Sequence, residues 1–364
     1  MRHETGSTFA GPGLHNGVLA MDIGSGTQDI LVWTDGVAME NCSKMILPSP
    51  TSIVAKQIRK AIHQRQHLFL TGKTMGGGPC TAAIRDHLKA GLRVFASEQA
   101  ALTFHDNLKK LSSMGIELVQ SRPDITPLTE LKMGDVDIEA LRETFKRFHI
   151  PMPSTIAIAV QDHGFSPQTS NRAFRFEMWK KALDAGGSLE QMLYSAPPPY
   201  LTRMRAVQEL VPGAWLMDTG ASAILGALLD PWIAQRKAEG IVIVNIGNEH
   251  VVAALIKGDR MFGIYEHHTS VVGPPKLKDH LDRFRKGLLT NEEVFQDMGH
   301  GCVITPEATQ VSAFAHLGIT GPNRGQYQLL NGHMAAPFGD MMLTGCFGLI
   351  EALRLRKVKE DARH

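Results

Sequence analysis

The stretch Leu19–Trp33, LAMDIGSGTQDILVW, places a loop of Gly, Ser, Thr and Asp between two apolar runs. Such turn residues are typical of a hairpin, because Gly and Asp tolerate unusual backbone dihedral angles. The same loop also suits a phosphate cradle, in which backbone N–H groups and hydroxyls bind an anion. Asp22 ends a buried strand, where a charge requires a compensating partner such as magnesium. Spacing alone leaves the hairpin and the cradle equally open.

The composition limits the domain count and the partners. A chain of 364 residues is longer than one core usually holds, so we expect two domains or two lobes. Apolar residues make up 43% and charged residues 20%, which is ordinary for a globular protein. The net charge is +2 and there is no long basic stripe, so neither nucleic acid nor a membrane surface is an expected partner.

The apolar runs and the N-terminal segment indicate where the protein resides. The longest apolar runs, such as Ile156–Val160 and Ile241–Val244, are far too short to cross a bilayer. The N-terminal segment lacks the apolar core of a signal peptide, and we therefore expect a cytoplasmic protein. Residues 1–16 are predicted to form a disordered leader.

Strand and helix patterns alternate along the chain and predict an α/β fold with mixed sheets in two lobes. The first lobe is predicted over residues 17–239 and the second over residues 240–339. Residues 164–212 are polar, contain the rigid extended stretch APPPY and are interpreted as an insertion in the first lobe. Residues 340–364 are predicted to form a closing helix and a tail.

The segment Asp22–Asp29, DIGSGTQD, resembles the first phosphate motif of the actin, Hsp70 and sugar kinase superfamily. The resemblance implies two ribonuclease H-like lobes, the actin-like ATPase fold, with ATP and Mg²⁺ in the cleft between them. It also implies that Asp22 binds the metal ion and that the loop contacts the nucleotide through Gly24, Ser25, Gly26, Thr27, Gln28 and Asp29. The motifs of this superfamily occur in a fixed order, so the rest of the chain tests the resemblance.

A second segment, Trp215–Leu228, is a predicted strand that ends in Asp-Thr and precedes a helix of small residues. It is similar to the hexokinase segment that supplies the general base, which implies that Asp218 takes a proton from a hydroxyl or water and contacts the metal ion. The sequence DTGAS also suits an aspartic protease, but that fold needs a second such loop and this chain has one copy. A third possibility is a helix start capped by Asp218 or Thr219.

Two later segments resemble the remaining nucleotide motifs. Residues 241–256, IVIVNIGNEHVVAALI, are similar to the second phosphate motif, with Gly247 in the turn. Asn245 and Asn248 stand where the family has Asp and Gly, and an Asn supplies no charge to a cation, which speaks against strong magnesium binding and fast hydrolysis. Residues 314–325 resemble the adenosine loop, in which a strand ends in Thr-Gly, here Thr320 and Gly321.

A predicted buried strand near residue 156 ends in three polar residues, Gln161, Asp162 and His163. In actin-like proteins a Gln or an acid from this region orients the attacking water, so we expect these residues at the cleft, with Asp162 and His163 in catalysis. The alternative is a polar strand end with satisfied hydrogen bonds. Together with residues 196–205 and 265–269, this segment resembles a family labelled "putative pyruvate formate-lyase activating enzyme", and the resemblance covers most of the chain.

Cysteine spacing speaks against a radical enzyme that binds an iron–sulfur cluster through its own cysteines. None of the four cysteines has CxxC or CxxxCxxC spacing. Histidines 267, 268, 280 and 300 suggest a transition metal, but with sixteen histidines chance pairs are frequent, and the sequence does not favour one.

A Gly-rich stretch at residues 69–79, FLTGKTMGGGP, lacks the spacing of a P-loop. A turn of this kind between a strand and a helix leaves backbone N–H groups free for an anion. Both a structural turn and a substrate loop stay open.

Three function classes follow from these motifs. The first is a small-molecule kinase, with Asp218 as base and the region from Asp162 to Arg175 shaping the acceptor site. The second is an ATPase whose lobe closure drives a protein partner, such as a reactivator of a cobalamin or radical enzyme. The third is a nucleotide-binding scaffold with little turnover. The sequence identifies neither the small-molecule acceptor nor a protein partner.

Overall fold

The structure is a computed structural model and describes residues 17–361; the predicted leader, residues 1–16, lies outside them. The strands of the described chain are β1 (Val18–Ile23), β2 (Thr27–Trp33), β3 (Ser43–Pro48), β4 (His67–Gly72), β5 (Val94–Ala96), β6 (Ile116–Leu118), β7 (Leu128–Met133), β8 (Thr155–Val160), β9 (Leu193–Tyr194), β10 (Trp215–Asp218), β11 (Ile241–Ile246), β12 (His250–Lys257), β13 (Arg260–His268), β14 (Gly301–Ile304), β15 (His316–Thr320) and β16 (His333–Met334).

The α-helices are α1 (Pro50–His63), α2 (Gly78–Lys89), α3 (Glu98–Ala101), α4 (Leu108–Ser113), α5 (Ile138–Arg147), α6 (Asn171–Asp184), α7 (Thr202–Leu210), α8 (Thr219–Ala227), α9 (Pro231–Arg236), α10 (Pro274–Phe284), α11 (Asn291–Gln296), α12 (Ala308–Val311) and α13 (Thr344–Asp361). Short 3₁₀ helices cover Met39–Asn41, Leu189–Met192, Arg324–Leu330 and Pro337–Gly339.

Two six-stranded sheets repeat one topology. The first has the order β3-β2-β1-β8-β10-β9, and the second has the order β14-β13-β12-β11-β15-β16. In each, an antiparallel three-strand meander is followed by strands that pair in parallel with the first strand of the meander, β1 with β8 and β11 with β15. This is the ribonuclease H-like arrangement, and its repetition gives the two-lobed actin-like fold that the sequence predicts.

A third sheet was not foreseen as a separate unit. Its four strands pair in parallel in the order β6-β5-β4-β7 and lie between β3 and β8 in the chain. It has an apolar core of its own, formed with α1 and α2 by residues such as Val54, Ile58, Leu68, Ile84 and Val94. The first lobe therefore carries this α/β unit in addition to the predicted polar insertion.

The polar segment 164–212 contains α6, β9 and α7. Strand β9 pairs antiparallel with β10 and extends the first sheet by one strand. Helix α6 reaches the other lobe, where it contacts β13 and β14. This segment therefore joins the lobes through packed helix and strand.

Helices α8 and α13 cross at very short range. A methyl group on Gly348 would lie 1.8 Å from the Ser222 carbonyl oxygen, and one on Gly226 would lie 1.8 Å from the Thr344 carbonyl oxygen. Only glycine permits this approach of two backbones. The chain passes from the first lobe to the second through α8, and α13 returns to pack on β1, so this crossing positions the lobes relative to each other.

Candidate functional site

A cleft with a volume of about 420 Å³ lies between the lobes. The β1–β2 turn, the Gly-rich loop before α2, the β11–β12 turn, the loop after β15 and the start of α13 line it. The sequence-predicted residues in this lining are Asp22, Gly24, Ser25, Thr27, Asp29, Gln161, Asp162, His163, Asn245, Gly247, Asn248, Thr320 and Gly321. Among the described residues, the lining does not include Gly26, Gln28 or Asp218. The Gln28 side chain donates instead to the Pro48 carbonyl.

The β1–β2 turn is both a hairpin and one wall of the cleft. The strands pair up to Ile23 and Gln28, and the Gly24 N–H donates to the Thr27 carbonyl at 2.9 Å. The hydroxyls of Ser49 and Ser52, at the start of α1, donate to the Ser25 carbonyl at 2.6 and 3.0 Å. Because these bonds draw the carbonyl of the turn towards α1, the turn is held in one orientation at the cleft wall.

The β11–β12 turn faces the β1–β2 turn from the other lobe. Gly247 closes it by donating its N–H to the His250 carbonyl at 2.9 Å. A methyl group on Gly26 would lie 2.3 Å from Asn248 Nδ2, so the two turns approach as closely as a glycine allows. Each lobe therefore contributes one glycine-containing hairpin turn at the same point of the cleft.

Two carboxyl groups lie side by side below the first turn. Asp22 and Asp29 are cross-strand partners in the hairpin. Burial raises the pKa of Asp22 to about 7, although Thr219 Oγ1 donates a 2.6 Å hydrogen bond to its Oδ1. Burial and the neighbouring Asp22 raise the pKa of Asp29 to about 8, and within residues 17–361 its Oδ1 has no hydrogen-bond partner. These acids resist ionisation because burial removes the water that would stabilise their charged form, and a bound cation would compensate for that loss.

The loop after β15 is tied to the second turn. Asn323 Nδ2 donates to the Gly247 carbonyl at 2.9 Å and contacts Asn248 Oδ1 at 3.3 Å. Thr320, at the end of β15, is buried, and its hydroxyl donates to that of Thr344 in α13 at 3.3 Å. The predicted adenosine loop and the predicted second phosphate motif therefore form one continuous wall.

Asp218 lies behind the cleft wall. Its Oδ1 accepts from the backbone N–H groups of Gly220 and Ala221, so it is the N-cap of α8. Its Oδ2 accepts from Arg175 Nη1 at 2.8 Å, and both side chains are almost fully buried. Both oxygens are therefore engaged in holding a helix start and a buried guanidinium. Asp218 does not line the cleft within the described residues, but its charge lies close enough to Asp22 to help raise the pKa of that carboxyl.

The three polar residues that follow β8 make different contacts. Asp162 is buried and accepts from the N–H groups of Gly164 and Met204, which fixes the chain after β8; burial raises its pKa despite these bonds. Gln161 Nε2 donates to Glu266 Oε1 at 2.7 Å. His163 Nε2 lies 2.9 Å from His300 Nε2 in the second lobe.

A cluster of histidines adjoins this strand end. The sequence suggested His268 and His300 as metal ligands but gave no indication that His163 and His250 join them. His163, His250, His268 and His300 contact one another with ring centroids 4.7 to 5.7 Å apart. These histidines come from positions as far apart as 163 and 300, and no local sequence pattern links them. Of the four histidines considered as metal ligands in the sequence, His267 and His280 lie elsewhere, where His267 pairs with Asp297 and His280 with Tyr265.

Arg175 joins the strand end to both lobes. Its guanidinium pairs with Asp218 of the first lobe and, through Nε at 2.6 Å, with Glu266 of the second. Burial alone would raise the pKa of Glu266, but the positive charge of Arg175 holds it below its usual range. A buried ion network of this kind is stable only while every partner is present.

The Gly-rich loop of residues 74–78 reaches the cleft. The Gly76 N–H donates to Asp135 Oδ1, and the same carboxylate pairs with Arg203 at 2.7 Å. Arg203 also donates to the Gln161 carbonyl at 2.8 Å. The loop is therefore anchored next to the end of β8.

The repeated ribonuclease H-like sheets and the cleft between them define a two-lobed protein of actin-like fold. The chain belongs to the family described as "Putative pyruvate format-lyase activating enzyme (DUF1786)", which matches residues 75–326. No curated protein sequence matches the chain. Within residues 17–361, no helix has both the length and the apolar character needed to span a membrane.

Several solved structures are similar over nearly the whole chain at low identity. The ROK hexokinase from Thermus thermophilus has 11% identity and a TM-score of 0.32, and the match covers 94% of this chain and 99% of that chain. The activator of the 2-hydroxyisocaproyl-CoA dehydratase from Clostridium difficile with bound ADPNP has 9% identity and a TM-score of 0.31, covering 95% and 97%. MreB 5 of Spiroplasma citri bound to AMPPNP has 11% identity and a TM-score of 0.32, covering 96% and 98%.

Proposed function

We propose that the chain binds ATP with Mg²⁺ between its lobes and transfers the γ-phosphoryl group to water or to a small-molecule hydroxyl. The observation that carries this proposal is the approach of two glycine-containing hairpin turns, one from each lobe, above the carboxyl pair of Asp22 and Asp29. Backbone N–H groups of facing turns bind phosphate oxygens, since such turns form concave anion sites. The loop at Thr320 and Gly321 continues this wall and is the place for the nucleoside.

The residues below the turns suit a magnesium ion. Mg²⁺ keeps most of its waters and is usually held by one or two carboxylates together with substrate phosphates. Asp22 and Asp29 offer these carboxylates, and the unpartnered Oδ1 of Asp29 is a buried acceptor that such a hydrated ion would satisfy. When bound, the ion would neutralise phosphate charge. In this proposal Asp218 acts indirectly, by fixing Arg175 and the start of α8.

Two features of the cleft bear on turnover. Gln161 lines the cleft and its amide is held by Glu266, which leaves Oε1 to orient a water or hydroxyl nucleophile. Asn245 and Asn248 line the second turn and carry no charge, so the second lobe contributes less to the binding of a cation than an acid would. We therefore propose slow turnover with firm nucleotide binding.

A second candidate is an ATPase whose closure acts on a protein partner. The observation that favours it is the coupling of the lobes by buried contacts, since Arg175 pairs with Asp218 of one lobe and Glu266 of the other. Movement of one lobe would then be transmitted directly to the other. A scaffold with little turnover is the limiting case of the same proposal.

Release of phosphate from ATP tests the proposed reaction. We expect Mg²⁺-dependent release by the wild-type chain and its loss in Asp22→Ala, with Asp184→Ala, on the exposed end of α6, as a control. Acceleration by a metabolite from a panel of hydroxyl compounds would identify a kinase, and release without any acceptor would favour the partner-driving ATPase. If the protein binds ATP but never cleaves it under any of these conditions, its function is that of a nucleotide-binding scaffold.

A further inference from the structure

Three histidines and one glutamate converge where the lobes meet. One ring nitrogen each from His163, His250 and His300 and one carboxylate oxygen of Glu266 all lie within 4.8 Å of one another. His163 follows β8 of the first lobe, and the other three belong to the second lobe. These four residues are called the interlobe cluster below.

Strand register explains how the second lobe assembles its three members. In the β12–β13 hairpin, His250 is opposite His268 and Val252 is opposite Glu266, so His250 and Glu266 project from the same face of the sheet. His300 immediately precedes β14, and its N–H donates to the Glu266 carbonyl at 2.9 Å. The cluster is thus built on sheet, with one member delivered by the other lobe.

Hydrogen bonding within the chain does not satisfy these side chains. Within residues 17–361, His250 Nε2 and His300 Nδ1 are buried and have no hydrogen-bond partner. His300 as a whole is only 2% exposed. Buried polar atoms without a partner are uncommon and call for an explanation such as an ion.

We propose that the interlobe cluster binds a transition-metal dication of the zinc type. Neutral imidazoles with one carboxylate are ligands that zinc and neighbouring divalent metals accept, whereas magnesium prefers oxygen ligands alone. Zinc–nitrogen bonds of about 2.0–2.1 Å place two tetrahedral ligands about 3.3–3.4 Å apart. His163 and His300 would bind through their Nε2 atoms, which lie 2.9 Å apart and need to separate only slightly to admit the ion. The ion would then satisfy the unpartnered Nε2 of His250 and not Nδ1 of His300.

Neighbouring side chains orient the carboxylate of Glu266 and set the charge around the interlobe cluster. Gln161 donates to Glu266 Oε1 and Arg175 to Oε2, an outer shell of the kind that positions metal ligands. Arg175 is also paired with Asp218, so two carboxylates face one guanidinium. The carboxylate of Glu266 is therefore not neutralised by a guanidinium of its own.

A metal ion in the interlobe cluster would affect how the two lobes are held together. His163 and His250 line the cleft, so a metal ion here would connect the two lobes through the cleft wall. Its four ligands do not include Asp22 or Asp29, and its binding needs no nucleotide. The inference is therefore independent of the proposed ATP chemistry.

Zinc binding by untagged, metal-stripped protein without nucleotide tests the inference. We expect one zinc per chain in competition with a chromophoric chelator, and a Co²⁺ spectrum with nitrogen-ligand character. His163→Gln and His300→Ala should lower the zinc affinity by at least about 100-fold, since loss of an outer partner alone costs about 10–100-fold. His316→Ala, a histidine of the second lobe outside the cluster, and Asp22→Ala should both bind zinc like the wild type.

Equal zinc affinity in the wild type, His163→Gln and His300→Ala would overturn the inference. His163 is half-buried in a loop, so the Gln variant decides the question if His300→Ala does not fold. Retained zinc binding in Asp22→Ala together with lost ATP binding would separate this site from the nucleotide site. If Asp22→Ala lost zinc while His163→Gln and His300→Ala kept it, the ion would belong to the nucleotide cleft, and the assignment to the interlobe cluster would be overturned.

Discussion

The carboxyl group of Asp22 lies directly against Gly345, since a methyl group on Gly345 would be 1.9 Å from Asp22 Oδ2. Asp22 ends β1 of the first lobe, and Gly345 is in the first turn of α13, the last helix. The N-terminus of a helix favours negative charge through its dipole, so α13 assists ionisation of Asp22 while burial opposes it. The site thus depends on the last helix as well as on the opening motif.

Substitution of Gly345 tests this contact. Gly345→Ala should displace the Asp22 carboxylate or shift α13, and we expect a loss of stability of about 1–3 kcal/mol, as for other overpacked sites. Affinity for Mg²⁺–ATP should fall at least tenfold, measured by calorimetry. Gly273→Ala, where a methyl group meets open space, is the control and should change neither quantity by much. Wild-type affinity in Gly345→Ala would show that the carboxylate does not need its present position.

The crossing of α8 and α13 gives a second prediction, on stability alone. In Gly348→Ala the new methyl group meets the Ser222 backbone carbonyl, which cannot move aside as a side chain can. We expect the free energy of unfolding in urea to fall by about 1–3 kcal/mol or more. Gly325→Ala, in open space, should leave it unchanged. An unchanged midpoint in Gly348→Ala would contradict the close crossing.

The buried ion network gives a third prediction, with its control on the same helix. Arg175→Met leaves the carboxylates of Asp218 and Glu266 buried without their cation, and such a change costs about 3–5 kcal/mol. Lys180→Met removes an exposed pair with Asp184, which is worth about 0–1 kcal/mol. Thermal unfolding of both variants measures the contrast. A similar small effect for both would mean that Arg175 is not the compensating charge.

The raised pKa of Asp29 predicts a pH dependence. The folded chain retains this proton up to a pKa of about 8, whereas the unfolded chain loses it near 3.8, so stability falls as the pH rises through this window. In Asp29→Asn this contribution is absent. Between pH 6 and 8, without nucleotide, the melting temperature of the wild type should fall more than that of Asp29→Asn. Identical slopes would contradict the raised pKa, and buried histidines, common to both proteins, cancel in the comparison.

Local patterns in the sequence predicted most of the fold. The apolar runs on either side of Gly247 in residues 241–256 correspond to β11 and β12, because such runs indicate burial in a sheet. The helix α6 was missed, since its buried residues include Arg175 and its polar residues face both lobes, which removes the usual one-sided pattern. The sheet formed by β4 to β7 was not separated, because the exposed polar residues of β7, such as Glu130 and Lys132, hide its strand pattern.

The site could be predicted from the sequence only where its residues are contiguous in the chain. The first turn, from Asp22 to Asp29, is contiguous, and the structure places most of it at the cleft. The engagement of Asp218 with Arg175 depends on residues 43 positions apart, and the interlobe cluster depends on contacts across 137 positions. Such contacts arise from tertiary packing, and a single sequence contains no local signal for them.

Calorimetric titration of the apo protein with Mg²⁺–ATP and Mg²⁺–ADP, for the wild type, Asp22→Ala and the control Asp184→Ala, tests the central claim most directly. We expect one nucleotide to bind per chain in the wild type and in Asp184→Ala. In Asp22→Ala we expect affinity to fall at least tenfold, with a smaller fall when Mg²⁺ is omitted throughout. Absence of nucleotide binding by the wild type, or undiminished binding by Asp22→Ala, would contradict a phosphate and magnesium site between the two turns.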